Sequence, residues 1–331
     1  MNCHIHYGYG VDQLIETRKA RMGHGDSEVG LDAGVVEVAD GVFAYVQRDG
    51  SWWVNTTGFI PGSGHVLAID ACATERRTRA LLEAIDTTAG APVRTLVNTH
   101  YHGDHTYGNS LFAATTTVVG HDRCRSGMLA DTLLQRTPPI WDPTPAWGAV
   151  SIRAPEVTFA DCLTLWVDDL AVELRHVGGR AHTDSDIVAW LPDRGVLFIG
   201  DLIFNGGTPM LVSGSVSGYL AAIERVRAIG ATVLVPGHGS PCGPEVFDAH
   251  VRYATFVLAA AEAGRAAGMT PLDTARELDL GEFAGLLDLE RIVLNLHRAY
   301  ADLDGVEEVD LLGAFRDAIA YNHGRPLRCI A

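Results

Sequence analysis

The stretch TLVNTHYHGDHTYGN, residues 95–109, places several metal-binding side chains directly after an apolar run. They are His100, His102, Asp104 and His105. In extended chain, side chains at alternate positions face the same side, so His100 and His102 can reach one metal ion. The glycine at the centre of the motif allows a sharp turn, which directs Asp104 and His105 towards a second position. The stretch therefore predicts half of a two-metal site.

Further candidate ligands stand downstream, each near the end of a predicted strand. His182 lies in HVGGRAHTDSD after a strand predicted at 171–177, Asp201 ends GVLFIGD, and His238 follows TVLVPG. Side chains just past strand ends are held by a rigid scaffold and remain accessible at the sheet edge. Imidazole and carboxylate donors suit Zn²⁺. Together with the first motif they are enough for two three-ligand sites that share one bridging carboxylate.

Blocks of predicted strands alternate with predicted helices around these motifs. Strands are predicted at 34–40, 41–47, 93–99, 115–120, 163–168, 171–177, 186–191, 196–200 and 232–237, with two more within 55–70. Helices are predicted at 73–90, with Thr74 as N-cap and Gly90 as the stop, at a segment ending near Arg136, and at 216–229. This order predicts two mixed sheets packed face to face with helices outside.

The chain divides into three predicted segments. Residues 1–32 are polar and Gly-rich, with one short helix expected at about 11–21. Residues 33–243 form the predicted sheet-containing domain. From about residue 244 to 331 the apolar residues recur at helical spacing, which predicts a helical C-terminal extension.

Composition and charge restrict the classes of function. The net charge is −16, from 25 Lys and Arg against 41 Asp and Glu, which argues against nucleic-acid or anionic-membrane partners. The six cysteines form no CxxC pair, which is typical of reduced thiols. We find neither the apolar core of a secretory signal nor the run of roughly 20 apolar residues that spans a membrane. We therefore expect a cytoplasmic protein that acts on a small-molecule substrate.

The pieces HYHGDH, GGRAHT, LFIGD and PGHG resemble the metallo-β-lactamase superfamily in their order and spacing. VLAID at 66–70 resembles the strand-ending aspartate that precedes the motif in this family, and the resemblance covers roughly residues 33–240. It implies an α/β (α+β) fold, a four-layer αββα sandwich. It also implies two zinc ions, with Asp70 orienting a ligand imidazole. The implied ligands are His100, His102 and His182 for one ion, Asp104, His105 and His238 for the other, and Asp201 as the bridge.

The resemblance further implies a hydrolase. A hydroxide shared by the two zinc ions would attack a carbonyl carbon, and Asp104 is the candidate catalytic residue because it can orient that nucleophile or move its proton. Asp201 stands where some β-lactamases have a cysteine, which favours a glyoxalase II-like or lactonase-like enzyme acting on a thioester, lactone or amide. A true β-lactamase is one alternative. An iron-dependent oxidoreductase or oxygenase is another, since iron or manganese also accepts these ligands.

The candidate substrate-binding residues are polar or aromatic side chains outside the ligand motifs. Trp52 and Trp53 fall in a predicted loop near strand ends, and Asn205 lies in the Gly-rich segment after GVLFIGD. His297 and Tyr300 form a polar-aromatic face on a predicted C-terminal helix. Ordinary packing, or a solvated helix face, is the alternative for each of them. The same C-terminal helices are candidates for a homodimer contact.

Overall fold

Two mixed β-sheets lie face to face in the computed structural model, which describes residues 31–331. The first sheet has the strand order β1 (Ala33–Ala39), β2 (Val42–Gln47), β3 (Thr57–Pro61), β4 (Val66–Ile69), β5 (Val93–Val97), β6 (Thr117–His121) and β8 (Val157–Phe159). Neighbours from β1 to β4 are antiparallel, and those from β4 to β8 are parallel. The predicted helix at about 11–21 lies outside the described residues.

The second sheet is mainly antiparallel. Its order is β13 (Val233–His238), β12 (Val196–Phe204), β11 (Ile187–Leu191), β10 (Leu170–His176) and β9 (Cys162–Val167). Among the strand pairs that the structure describes in this sheet, β12 and β13 are parallel and the other three pairs are antiparallel. A short separate ladder joins β7 (Trp141–Asp142) to β14 (Leu327–Arg328).

Helices cover both outer faces of the sandwich. They are α1 (Glu75–Ala89), α2 (Gly103–Thr106), α3 (Asp122–Ala130), α4 (Val216–Arg227), α5 (Val246–Ala266), α6 (Pro271–Glu277), α7 (Arg291–Asp304) and α8 (Leu311–Tyr321). Short 3₁₀ helices lie at Tyr107–Leu111, Pro192–Arg194 and Gly281–Phe283. Leu81 of α1 packs on the outer face of the first sheet, and Ile223 of α4 packs against the second. The layers are therefore helix, sheet, sheet and helix, which confirms the predicted αββα sandwich.

The interface between the sheets is an apolar core to which both contribute. It includes Val42, Ile60, Val97, Val172, Leu174 and Phe198. Every residue of β12, with the sequence VLFIGDLIF, is buried. A nearly continuous apolar run is what a strand covered on both faces requires. Asp201 is the charged exception in that run, so its presence needs a chemical reason.

The ends of α1 follow the sequence signals. Thr74 adopts an extended conformation, and its side chain accepts a hydrogen bond from the Arg77 backbone N–H. Gly90 has a φ of 60°, the left-handed conformation that commonly ends helices. The N-cap and the stop were both predicted correctly, because each depends on one local residue with a distinctive conformational preference.

Two predicted boundaries were wrong. The helix expected to end near Arg136 ends at Ala130, because the Asp131 side chain accepts hydrogen bonds from the Leu133 N–H and the Tyr107 hydroxyl. The strand expected at 196–200 continues as β12 to residue 204, so Asp201 lies inside a strand instead of ending one. The register between β12 and β13 shifts on either side of Gly200, which accommodates the charged side chain in the strand.

The C-terminal helices share a core with the second sheet. Val257, Leu294 and Leu296 belong to the same apolar cluster as Leu202 and Ile203 of β12. The predicted extension is helical over α5 to α8, but it also carries β14, which pairs with β7 and was not predicted. The boundary at residue 243 stays a prediction. Within residues 31–331, none of the helices is both long and apolar enough to span a membrane.

Candidate metal centre

The predicted ligands converge where strands of both sheets end. His100 and His102 follow β5, and Asp104 and His105 lie in α2. His182 follows β10, Asp201 lies in β12, and His238 ends β13. Gly103, where the sequence suggested a sharp turn, begins α2 and does not have a positive φ. A side chain there would overlap the ring of Tyr107, and this close approach explains the glycine.

The structure sorts these side chains into two groups that share Asp201. The donor atoms within each group lie within 4.8 Å of one another. Asp201 Oδ2 is 3.3 Å from His182 Nε2, whereas Oδ1 is 3.0 Å from His105 Nε2. We call the two sets the first and the second donor group. The first contains His100, His102, His182 and Asp201, and the second contains Asp104, His105, Asp201 and His238.

Each ligand imidazole is oriented through the ring nitrogen that points away from the centre. Where the partner is a carbonyl or carboxylate oxygen, which can only accept, that nitrogen must carry the hydrogen and the inward nitrogen presents a lone pair. The pairs are His100 Nδ1 with Thr99 Oγ1 at 3.0 Å, His102 Nε2 with Ser213 Oγ at 3.2 Å, His182 Nδ1 with the Met210 carbonyl at 2.6 Å, His105 Nδ1 with Asp70 Oδ2 at 2.8 Å, and His238 Nδ1 with the Gly50 carbonyl at 3.0 Å.

Asp70 connects two of these contacts. It has a φ of 62° directly after β4. Its Oδ1 accepts from the Thr99 N–H at 2.8 Å, and its Oδ2 accepts from the Thr99 hydroxyl at 2.7 Å and from His105. The Thr99 hydroxyl is in turn 3.0 Å from His100. Asp70 thus contacts one imidazole of the second donor group directly and one of the first through Thr99, where the sequence suggested a single imidazole.

The inward-facing atoms fit a bound cation. His100 Nε2, His105 Nε2 and Asp201 Oδ1 are buried and have no hydrogen-bond partner. His182 Nε2 lies only 2.8 Å from His102 Nδ1, and His238 Nε2 lies 3.1 Å from Asp104 Oδ2. Lone pairs and carboxylates this close together repel unless a cation or proton lies between them. Nitrogen and oxygen donors in this number match zinc, and they also accept iron or manganese.

The pKa shifts differ between the two donor groups. Burial, followed by the neighbouring His105 imidazole, holds the pKa of His100 well below its usual value. Burial lowers the pKa of His182 to about 3, although Asp201 opposes it. Burial alone would also lower the pKa of His238, but Asp201 and Asp104 outweigh it and raise the pKa to about 9. In the metal-free protein, the second donor group therefore binds a proton more readily than the first.

The candidate substrate-binding residues lie in different environments. Trp52 is buried, donates from Nε1 to Glu290 at 2.7 Å, and has the Arg291 guanidinium 4.3 Å from its ring. Trp53 is half-buried and packs against Tyr107, whose ring covers the HxHxDH motif at Gly103. Trp53 thus lies one layer from the ligands, whereas Trp52 makes contacts in the protein interior.

The remaining substrate candidates mainly contact other parts of the protein. Asn205 donates from Nδ2 to the Ser240 carbonyl at 2.8 Å. His297 Nε2 lies 2.8 Å from Asp317 Oδ2 on α8. The Tyr300 hydroxyl is 2.7 Å from Thr274 Oγ1 on α6. A substrate role for these side chains stays a prediction.

Sequence reasoning missed the groups that hold the outer nitrogens of three ligands. Gly50 and Met210 contribute backbone carbonyls, which every residue possesses and which therefore leave no sequence signal. Ser213 lies within the Gly-rich segment after GVLFIGD, where a serine by itself gives no sign of such a role. Thr99 is different, because it immediately precedes the motif and its side chain could have been proposed as a ligand partner.

Comparisons with known proteins agree with this geometry. The family model for the metallo-beta-lactamase superfamily matches residues 50–121 and 167–238, which include all the predicted ligands. A metallo-beta-lactamase type 2 of Bacteroides fragilis is 25% identical over 238 residues, 69% of this chain and 88% of that protein. A hydroxyacylglutathione hydrolase of Methylococcus capsulatus is 30% identical over 199 residues, 60% of this chain and 64% of that protein.

A solved structure shows the same fold. The metallo-beta-lactamase from Pontibacter korlensis superposes with a TM-score of 0.55 at 21% identity, covering 67% of this chain and 99% of that one. At this identity the likeness concerns the fold alone. The likeness in fold and the match to the ligand motifs are therefore two separate observations, and they agree.

Proposed function

The chain belongs to the metallo-beta-lactamase superfamily, and on that premise we propose that it is a binuclear zinc-dependent hydrolase acting on a small-molecule acyl compound. The observation that carries the proposal is the pair of donor groups sharing Asp201, with the outer nitrogen of each imidazole ligand already engaged. Because the outer ring nitrogens are already hydrogen-bonded, the inward ring nitrogens are held in place to bind a cation. When bound, zinc supplies activation of water near neutral pH and stabilisation of negative charge on an oxygen.

Asp104 has a second role in this proposal. Its side chain is 12% exposed, against 3% for Asp201, so it is the more accessible ligand carboxylate. Burial alone raises the pKa of Asp104, but the His105 and His238 imidazoles outweigh burial and lower the pKa to about 2. The carboxylate therefore stays ionised near neutral pH. It can accept a hydrogen bond from the attacking water and so orient that water, whereas a carboxyl this acidic is a weak base towards the water's proton.

The proposed substrate is a thioester or a lactone, with an amide as the third carbonyl class. One relative is named for the hydrolysis of hydroxyacylglutathione, which supports the acyl-transfer chemistry. The shared ligand is an aspartate, as the sequence resemblance to glyoxalase II-like enzymes implies. β-Lactam hydrolysis is the second candidate, since the β-lactamase relative is matched over 88% of its length. The homodimer through the C-terminal helices and the cytoplasmic location stay predictions.

The test combines metal analysis with a substrate panel. Purified protein is examined for metal content and visible absorbance, then assayed with chromogenic thioesters, lactones, a cephalosporin and a phosphodiester. We expect about two colourless zinc ions per chain and activity on a thioester or lactone. His100→Ala should remove both activity and part of the zinc, whereas His65→Ala, a half-exposed histidine outside both donor groups, should change neither. Bound iron with absorbance and oxidase activity, or full activity of His100→Ala, contradicts the proposal.

A further inference from the structure

The Met210 carbonyl that orients His182 lies in a segment without regular structure. It accepts from His182 Nδ1 at 2.6 Å. This hydrogen bond directs His182 Nε2 towards His102 and Asp201 in the first donor group. Residues 208–211 belong to no helix or strand, so no ladder of backbone hydrogen bonds fixes this carbonyl. The backbone bonds nearest to it join the Thr208 N–H to the Leu287 carbonyl and the Gly214 N–H to the Leu211 carbonyl, and side-chain contacts complete its support.

Helix α7 makes those contacts on both sides of Met210. Asn295 Oδ1 accepts from the Leu211 N–H at 2.8 Å, and Asn295 Nδ2 donates to the Pro209 carbonyl at 2.7 Å. One turn earlier, Arg291 donates to the Thr208 carbonyl at 3.0 Å. Residues four apart lie on the same helix face, so one face of α7 holds three successive points of the segment. The Asn295 amide holds the two residues that flank Met210.

Asn295 has no solvent-facing role. Its side chain is fully buried, and Nδ2 also contacts the Tyr253 hydroxyl at 2.9 Å. A buried amide is costly unless its polar atoms are bonded, and apolar residues surround it along α7. None of its hydrogen-bond partners, Leu211, Pro209 and Tyr253, is a predicted ligand. Hydrogen-bonded partners commonly orient the residues that bind a metal. Asn295 is comparable, except that it acts on His182 through the Met210 backbone carbonyl.

We propose that Asn295 is a positioning residue for the first donor group, because its amide fixes the Met210 carbonyl that orients His182. The proposal rests on metal binding in the proposed function but not on the identity of the substrate. Partners behind metal ligands typically change metal affinity by about 10- to 100-fold when they are removed. We expect that loss for Asn295→Ala in the first donor group and no loss in the second. A residue needed only for the fold would not discriminate between the two.

The experiment measures each site separately. Cobalt(II), followed by its absorbance in competition with a chelator, is titrated into the full chain in two backgrounds. His238→Ala keeps the first donor group intact, and His100→Ala keeps the second. Asn295→Ala should weaken cobalt binding about 10- to 100-fold in the His238→Ala background and less than about threefold in the His100→Ala background.

Two matched substitutions serve as controls. Tyr253→Phe removes the third contact of the same amide and leaves both contacts beside Met210. Thr274→Val removes another hydrogen bond of the helical segment, the partly buried one to Tyr300. Neither should change cobalt affinity more than about threefold. If Asn295→Ala does not fold, Asn295→Asp keeps the shape and the acceptor for Leu211 while replacing the donor facing Pro209. A loss of cobalt affinity that is smaller than 10- to 100-fold, and that occurs in the first donor group alone, then supports the proposal.

Several results overturn the proposal. Equal weakening of both groups, no weakening of either, or the same weakening by Tyr253→Phe would show that Asn295 serves the fold and not His182. Failure of the proposed function has a different signature. In that case the wild-type chain and His100→Ala bind the same amount of metal. The proposed metal site and the positioning role of Asn295 would then both be wrong. Full metal binding with no hydrolysis of any substrate leaves the proposal supported and contradicts only the hydrolase.

Discussion

Acid should destabilise the protein through His250, a buried histidine outside both donor groups. Burial lowers the pKa of His250 from 6.5 to about 4, and its contact with the Val246 carbonyl only partly offsets this. Nε2 accepts the Phe204 N–H at 3.0 Å, and Nδ1 lies 3.1 Å from the Val246 carbonyl. The folded state therefore holds the neutral ring, with the hydrogen on Nδ1. Protonation would remove the acceptor that Phe204 needs.

The sign and size follow from the two pKa values. Between pH 6.5 and about 4 the unfolded chain binds a proton at this residue that the folded chain does not, so stability falls as the pH falls. The contribution is fully present above pH 6.5 and levels off below about pH 4. At about 1.4 kcal/mol per pKa unit, the loss is about 2 kcal/mol at pH 5 and about 3 kcal/mol at pH 4. That is a large part of the roughly 5–15 kcal/mol that stabilises a domain.

The assay is urea denaturation of the metal-free protein at pH values from 7 to 4. His250→Gln is the informative variant, because the glutamine carbonyl can accept the Phe204 N–H but does not titrate. Since the metal-ligand histidines are present in both proteins, their titration cancels in the difference. We expect the stability advantage of the wild type over the variant to shrink by about 2 kcal/mol between pH 7 and pH 5. Parallel pH curves for the two proteins would refute the reasoning.

Three further predictions concern the ligands and the core. Asp70→Asn should weaken metal binding by about 10- to 100-fold in chelator competition, because the amide NH2 cannot accept and would face either the Thr99 N–H or the Thr99 hydroxyl and His105. Gly58→Ala should destabilise the protein by about 1–3 kcal/mol in urea denaturation, because its Cβ would overlap the Phe198 ring. Gly64→Ala, with open space around it, is the control, and equal effects would contradict the overlap. Chelation should abolish hydrolysis and added zinc should restore it; activity that survives chelation would contradict the metal requirement.

The members of the two donor groups could be picked out from the sequence, because each is a chemically distinctive side chain near a strand end; their role as metal ligands stays a prediction. The caps of α1 were predictable for a similar reason, since Thr74 and Gly90 act through local conformation. The end of α3 was not, because it depends on a bond between Asp131 and Tyr107, which is distant in the sequence. The short ladder between β7 and β14 was also missed, because two-residue strands carry no periodic pattern.

The groups that orient the ligands were beyond sequence reasoning for a further physical reason. The carbonyls of Gly50 and Met210 acquire their role only from the place to which the fold brings them. Asn295 shares its helix with His297 and Tyr300 of the predicted polar-aromatic face, yet it is fully buried on the side of α7 that meets residues 209–211. Hydrophobic spacing identifies which face of a helix is buried, but it does not indicate which backbone segment that face will contact.

These contacts connect the stability of the protein to its metal centre. In the first donor group, two ring nitrogens approach to 2.8 Å, and in the second a ring nitrogen and a carboxylate oxygen approach to 3.1 Å. In the metal-free chain a proton between these atoms offsets their repulsion, as the raised pKa of His238 indicates, and a bound cation takes its place. A ligand that binds only the folded state stabilises it by mass action. Substitutions that loosen the donors, such as those at Asp70 or Asn295, should therefore reduce the stabilisation gained from metal more than they reduce the stability of the metal-free chain.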